Sequence, residues 1–285
     1  MTPTLVMGAV AYDPKVVTIW DGFRNWFREN DFDFDYVLYS NYERQVEALI
    51  AGTIHAAWNS PLAWLRAERL AAAAGSSVKA VAMRDSDCDL TSVVVVRAHS
   101  PIDEVGGLAG RTVAVGAVDS PQATLIPLAH LADQGLLAGE DFEVVQHNVG
   151  VGMHGDHIGG ERDAARALMA GRVDAACMID GNHLVFSAEG TLGSGATRIL
   201  TQTPPYDHCN FSIGSGAPVE AVDRFGDLLL GMTYADPDVR PLLDLEGLKA
   251  WHVGRTNGYA ALDGAVRRFH FYDDEGNVTA SDYRP

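Results

Sequence analysis

The chain has 285 residues, 47% hydrophobic and 21% charged, enough to bury the cores of two domains of ordinary size. Its 38 acidic against 21 basic residues give a formal charge of −17, which repels nucleic-acid phosphates across most of the surface and argues against that partner. Apolar stretches such as 91–98 fall well short of the roughly 18 residues of a spanning helix, so no membrane insertion is expected. Cys88, Cys177 and Cys209 form neither a disulfide framework nor a CxxC zinc pattern.

The opening Met-Thr-Pro-Thr enters an apolar strand at once, lacking the basic region and cleavage site of a secretory signal. As written this predicts a cytoplasmic protein; a removed signal peptide would make it periplasmic or extracytoplasmic. Leu5–Val10 reads as a strand, Lys15–Glu29 as a helix with Trp20, Phe23 and Phe27 on one face, and Phe34–Tyr39 as a second strand. A helix from Tyr42 and a strand at 55–58 follow. The same β-α-β-α-β order returns with a strand at Thr112–Val115, a helix at 121–134, a strand at 142–147, a helix from Glu161 and a strand at 174–179.

An internal repeat ties the halves together. Ala48-Leu-Ile-Ala-Gly-Thr-Ile-His-Ala-Ala-Trp58 recurs as Ala167-Leu-Met-Ala-Gly-Arg-Val-Asp-Ala-Ala-Cys177, identical at six of eleven positions. Each copy is an amphipathic helix stopped by a glycine, Gly52 or Gly171, and followed by a short apolar strand. Two extended stretches, 91–98 and 198–212 with Pro204-Pro205, cross between the halves as a hinge requires. The expected fold is α/β, with two doubly wound lobes, 1–93 with 205–285 and 94–204, joined by two crossover strands around a ligand cleft. Helices at 219–233 and 237–244 place the tail back on the first lobe.

Several segments in order carry a resemblance: Ala11-Tyr-Asp-Pro14, Ala56-Ala-Trp-Asn-Ser-Pro61, Ser92-Val-Val-Val-Val-Arg97, Leu108-Ala-Gly-Arg-Thr-Val-Ala-Val115, Asp119-Ser-Pro-Gln-Ala-Thr124, Cys177-Met-Ile-Asp180, and Asp236-Pro-Asp-Val-Arg240 with Tyr259. In these the chain resembles the type 2 periplasmic-binding fold, in the phosphonate, phosphite and sulfonate branch of ABC-transporter substrate-binding proteins. The resemblance implies a small anionic ligand held at the start of the second lobe's first helix, and an ABC permease as partner if the protein is exported. Related folds also serve as cytoplasmic enzymes, including pyrimidine synthases of thiamine biosynthesis, desulfinases and dehydratases, so the fold leaves function open.

Ser120 and Pro121 suit the cap and first turn of a helix whose free N–H groups, with Gln122, Ala123 and Thr124, can hold an oxyanion; the plain alternative is a helix cap. Asn59 and Ser60, and their repeat counterparts Asp180 and Asn182, follow strand ends where open α/β sheets bind ligands, and are expected to face each other. Asp180 reads equally as a ligand for an amine or hydroxyl and as a cap. Tyr12 and Asp13 have the same placement after the first strand.

The segment Pro204-Pro-Tyr-Asp-His-Cys-Asn-Phe211 departs from the transporter-like pattern, placing Asp207, His208 and Cys209 where relatives carry apolar residues. His208 beside Cys209 suggests a thiol nucleophile, or a metal site with His154 and His157 of the glycine-rich 149–160 stretch. On an extended chain adjacent side chains point opposite ways, which weighs against a His208–Cys209 dyad. That glycine-rich stretch lacks a full GxGxxG and a Walker lysine, while His183 and Cys177 read as structural. Two functions therefore stand side by side. One is a receptor that closes on an anion and needs no cofactor. The other is an enzyme using His154, His157, His208 and Cys209, with a metal as an option; a cytoplasmic sensor is a third form of the first.

Overall fold

The computed structural model describes residues 4–285. The first lobe runs β1 (Leu5–Val10), α1 (Lys15–Glu29), β2 (Phe34–Tyr39), α2 (Tyr42–Ile50), β3 (Ala56–Asn59), α3 (Pro61–Ala73) and β4 (Lys79–Arg84). The second runs β5 (Ser92–Arg97), β6 (Thr112–Val115), α4 (Ile126–Asp133), β7 (Glu143–Gln146), α5 (Gly159–Met169), β8 (Ala175–Ile179), α6 (Asp180–Glu189) and β9 (Thr197–Gln202). The chain then returns through β10 (Asn210–Ile213), α7 (Val219–Gly231), α8 (Arg240–Glu246), β11 (Trp251–Val253) and α9 (Ala260–Arg268).

The strands form two sheets, ordered β11-β4-β10-β3-β1-β2 and β7-β6-β8-β5-β9. In each lobe the middle of the βαβαβ unit is parallel, β2-β1-β3 and β7-β6-β8, and an antiparallel strand follows it, β10 or β5. The two copies of the sequence repeat occupy equivalent places in these units. Gly52 and Gly171 stand at φ +71° and +68° after their helices, the left-handed conformation that glycine adopts without steric cost.

Hydrophobic burial anchors each sheet. The apolar face of α1 puts Trp20, Phe23 and Phe27 against Phe34, Phe211, Phe225 and Trp251, all buried, with the rings of Phe27 and Phe34 4.8 Å apart. Full burial of each such ring contributes about 1.5–3 kcal/mol. The run Val93–Val96 lies inside its sheet between β8 and β9, so alternate valines enter the cores on both faces.

Three expectations need correction. β5 lies wholly in the second sheet, so a boundary at 93/94 cuts it; the crossing segments instead pair just outside the sheet, where Leu90 and Tyr206 exchange backbone hydrogen bonds of 2.8 Å in each direction. The tail does not all return to the first lobe. Leu262, Ala265 and Val266 of α9, with Tyr259 and Tyr283, join Leu62 and Trp64 of the first lobe and Leu125 and Ile126 of the second in one core that bridges the lobes. Finally, the helix expected at 121–134 starts as a wide turn over Pro121–Leu125, where the Leu125 N–H reaches the Ser120 carbonyl at 3.0 Å, and becomes α-helical only at Ile126. Pro127 has no N–H to give the Ala123 carbonyl, which accepts from Gly116 N–H at 3.2 Å instead.

Candidate functional site

A cleft of about 710 Å³ lies between the lobes. Tyr12 after β1, Trp58 at the end of β3 and Arg84 and Asp87 at the end of β4 line one side; Gln122, Asp156, Ile179 and Asn182 line the other. His208 and Cys209 on the returning crossover complete the wall. Tyr12, Trp58 and Ile179 stand at carboxyl ends of the parallel strands β1, β3 and β8, where side chains leave the sheet and backbone groups are not consumed by the ladder.

Arg84 organises the first-lobe wall. Its Nε and Nη2 donate to the two oxygens of Asp87 at 2.5 and 2.9 Å, and Nη1 donates to the Glu246 carbonyl at 2.8 Å and to Glu246 Oε1 at 3.3 Å. The guanidinium lies 5.2 Å from the Trp58 ring centroid. Burial alone would raise the Asp87 carboxyl, but Arg84 and His208 outweigh it and hold it near 2. Burial also raises Glu246, only partly offset by Arg84, to about 7. Burial likewise lifts Asp156, whose carboxylate accepts from the Tyr42 hydroxyl. Arg84 is thus committed to carboxylates and is not a free cation for a ligand.

The structure brings His208 and Cys209 together, with Nδ1 and Sγ 3.1 Å apart and both residues on the cleft. The alternation argument fails here because residues 207–209 lie outside any strand, before β10 begins. His208 Nδ1 also lies 3.4 Å from Asp87 Oδ1, while its buried Nε2 has no partner among the described residues. Burial, then the charges of Asp156 and Asp87, push the Cys209 thiol well above its usual range. A protonated thiol contradicts the activated nucleophile expected of a catalytic pair.

The segment expected to hold an anion is turned toward its own chain. Ser120 Oγ accepts from Ala123 N–H at 3.1 Å, and the Thr124 hydroxyl donates to the Ala117 carbonyl at 2.8 Å. Ser120, Gln122, Ala123 and Thr124 are all buried. Gly155, at φ +78°, lies over this helix start so closely that a Cβ there would fall 2.4 Å from Ser120 Oγ, and Gln122 Nε2 donates to its carbonyl at 2.9 Å. Of the four, Gln122 alone borders the cleft.

The loop that does this passes into the first lobe, and it overturns the His154–His157 metal pair. His154 is fully buried, with Nδ1 2.7 Å from Ser60 Oγ and Nε2 2.9 Å from Glu43 Oε1, so both ring nitrogens are occupied. Its N–H and that of Gly152 donate to Asp119 Oδ2 at 3.1 and 2.7 Å. His157 is exposed, its Nδ1 accepting from Gly159 N–H. His154 is a linker between lobes rather than a ligand-binding or metal-binding residue.

Other expected site residues are distributed similarly. Asn59 is buried away from the cleft, accepting from Gln45 Nε2 at 2.8 Å and donating to Ser212 Oγ at 2.9 Å. Ser60 caps α3, accepting from Ala63 N–H, and Asp13 is exposed and caps the start of α1. Asp207 is buried in a fork with Arg255, at 2.6 and 2.7 Å, and does not reach the cleft. Asp180 accepts from the Thr91 hydroxyl and tethers the crossover, while Asn182 does border the cleft and donates to Glu161 Oε2 at 2.8 Å. Trp58, which ends the first repeat copy, and Ile179, Gly181 and Asn182, just beyond the second, therefore border the cleft, and Asn59 and Asp180 do not. Cys177 is buried in the second core, as expected of a structural residue. Arg84, Asp87, Trp58, Asp156 and Glu246 escaped sequence reasoning, although the charged Arg84-Asp-Ser-Asp87 run directly after an apolar strand was a visible cue.

Two lobes of this topology with a cleft at their strand ends are the periplasmic-binding-protein type of fold. The sequence model of the family described as ABC transporter, phosphonate, periplasmic substrate-binding protein matches residues 8–257, and the chain belongs to that family. No curated protein sequence matches it. PhnD1 from Prochlorococcus marinus in complex with methylphosphonate is similar over 94% of this chain and 99% of its own, with a TM-score of 0.71 and 15% identity. XAC2383 from Xanthomonas citri, bound to ATP, gives 0.70 and 17% over 93% and 97%. The aliphatic sulphonate binding protein SsuA from Escherichia coli gives 0.57 and 17% over 95% and 93%. At these identities the likeness is one of fold. The family description is periplasmic and lends the cytoplasmic expectation no support. Among the described residues no helix is long and apolar enough to cross a membrane.

Proposed function

We propose that this chain is a receptor whose lobes enclose one small molecule bearing a phosphonate, phosphate, sulfonate or carboxylate group, and release it chemically unchanged. The observation that carries this reading is the set of donors left without protein acceptors on one wall of the cleft. His208 Nε2 is buried and unpartnered, and it is a donor in the tautomer whose Nδ1 accepts from the Cys209 thiol; Tyr12 borders the same space with a phenol that burial keeps protonated. Lys15 stands at the rim. Family membership and the methylphosphonate held by the Prochlorococcus protein support the same ligand class. In this reading the anion sits against the crossover wall rather than on the covered helix start, the paired crossovers at Leu90 and Tyr206 are the hinge, and the partner is an ABC permease served outside the cytoplasm.

Calorimetric titration with methylphosphonate, phosphate and ethanesulfonate, in parallel with tryptophan fluorescence reporting on Trp58, tests it. Saturable one-to-one binding of at least one anion with a fluorescence change is expected. No heat and no fluorescence response with all three would sink the reading.

A further inference from the structure

The cleft poses an electrostatic difficulty for any anion. Asp87, Asp156 and Glu246 stand on or behind its walls, and the half-buried cation on that side, Arg84, is already spent on two of them. Among the described residues the uncommitted side-chain cation that a bound oxyanion meets is Lys15, exposed at the rim, which leaves the interior of the cleft without positive charge of its own, and unpaired buried charge is strongly disfavoured.

We propose that Asp87, His208 and Cys209 form a binding site for a divalent metal ion of the zinc class, with an open coordination position facing the cleft. One oxygen, one nitrogen and one sulfur donor from these buried side chains all lie within 4.8 Å of one another, and among the described residues no other trio of such side chains does so. Tetrahedral zinc, with bonds of about 2.0 Å to nitrogen and oxygen and about 2.3 Å to sulfur, sets N···S near 3.5 Å and N···O near 3.3 Å. The observed separations from His208 Nδ1 are 3.1 Å to Cys209 Sγ and 3.4 Å to Asp87 Oδ1, close to those values, and the third, from the thiol to the carboxylate, lies within 4.8 Å and closes as the ion enters.

The supporting shell is already in place. Arg84 fixes the Asp87 carboxylate by donating to both of its oxygens, each of which keeps a further lone pair. His208 N–H donates to the Asp87 carbonyl at 2.9 Å, which locks the two donor segments together, and the Tyr259 hydroxyl holds the His208 carbonyl at 2.8 Å. Hydrogen bonds that hold metal ligands from outside orient them and tune their basicity. The ion would take Cys209 as thiolate, releasing its proton to solvent, and would offer its open position to a ligand oxygen. That last role, anchoring the anion, rests on the function proposed above; the metal site does not.

Cobalt(II) titrated into metal-free protein tests the site. A thiolate-to-cobalt charge-transfer band should saturate at one equivalent, be displaced by zinc, persist in Cys177→Ser, and vanish in Cys209→Ser and His208→Gln variants that keep the wild-type circular dichroism. Absence of the band in wild-type protein, or its survival in Cys209→Ser, overturns the proposal. Zinc-edge absorption of the wild-type protein needs no variant: one sulfur at about 2.3 Å is expected, and a shell of nitrogen and oxygen alone overturns it. Methylphosphonate titrated into zinc-loaded and metal-free protein separates the two readings. Binding to neither form refutes the cleft function while leaving the metal site standing, and equal affinity for both refutes the anchoring role.

Discussion

His154 Nε2 and Glu43 Oε1 lie 2.9 Å apart, buried, joining a loop of the second lobe to α2 of the first. The Tyr272 hydroxyl also donates to Glu43 Oε1, at 3.0 Å. Burial alone would raise the Glu43 carboxyl, but the His154 charge and these hydrogen bonds bring it down to about 2. A carboxyl held below its unfolded value of about 4.3 adds stability that is complete above that value and is lost as pH falls toward 2. His154→Ala should cost about 3 kcal/mol near neutral pH, because it leaves a buried carboxylate without its main partner. Urea unfolding at about pH 5 and about pH 3 checks both points: the variant should lose less stability than wild type over that interval. Parallel losses would detach Glu43 from His154.

Glu246 shifts the other way, and its effect has the opposite sign. Its folded value of about 7 lies above the unfolded value of about 4.3, so between these the folded state binds the extra proton. Its contribution to stability is therefore fully present below about pH 4 and declines as pH rises toward 7. Glu246→Gln removes the titration and leaves the Arg84 contact an amide acceptor. In metal-free buffer the variant should show a flatter stability profile between pH 5 and pH 7, the range in which wild type weakens. An unchanged slope would place the proton elsewhere.

Gly52 and Gly171 test whether the repeat is structural as well as sequential. Both sit at positive φ, +71° and +68°, and an added Cβ would meet nothing within 4 Å at either position. The cost of Gly→Ala is then backbone strain alone, about 1 kcal/mol at each site and the same at both. Chemical denaturation of the two single variants should give matching shifts, and a difference above about 1 kcal/mol would show that the lobes do not use the motif alike.

That motif is also the reason the fold was legible. Period-two and helical patterns place β1, α1, β2, β3, β6, β7 and β8 within a residue of their observed bounds, and the repeat implies paired lobes, whereas α3, β4, α6, β11 and α9 carry no pattern that singles them out. What failed were features fixed by distant contacts. Ser120 does cap a helix, but nothing local to Asp119–Thr124 reveals that Gly155 will cover it. The stiff assumption of an extended chain separated His208 from Cys209, whereas residues 207–209 follow the Asp87 carbonyl and Tyr259 instead of a sheet ladder. Asp207 reads as a site residue only until Arg255, 48 positions away, is seen to hold it.

Ser120 therefore separates the ligand position proposed for this cleft from the one its family resemblance implies. Its hydroxyl satisfies Ala123 N–H and is closed off by Gly155. Ser120→Ala should destabilise the protein by about 1 kcal/mol, as loss of a helix cap does. It should leave methylphosphonate affinity within about twofold, less than about 0.5 kcal/mol. His208→Ala in the same titration should weaken binding about tenfold or more, because the unpartnered Nε2 on the cleft wall is lost. A tenfold loss in Ser120→Ala with His208→Ala unaffected would return the anion to the helix start, and would require the loop at Gly155 to lift away when ligand enters.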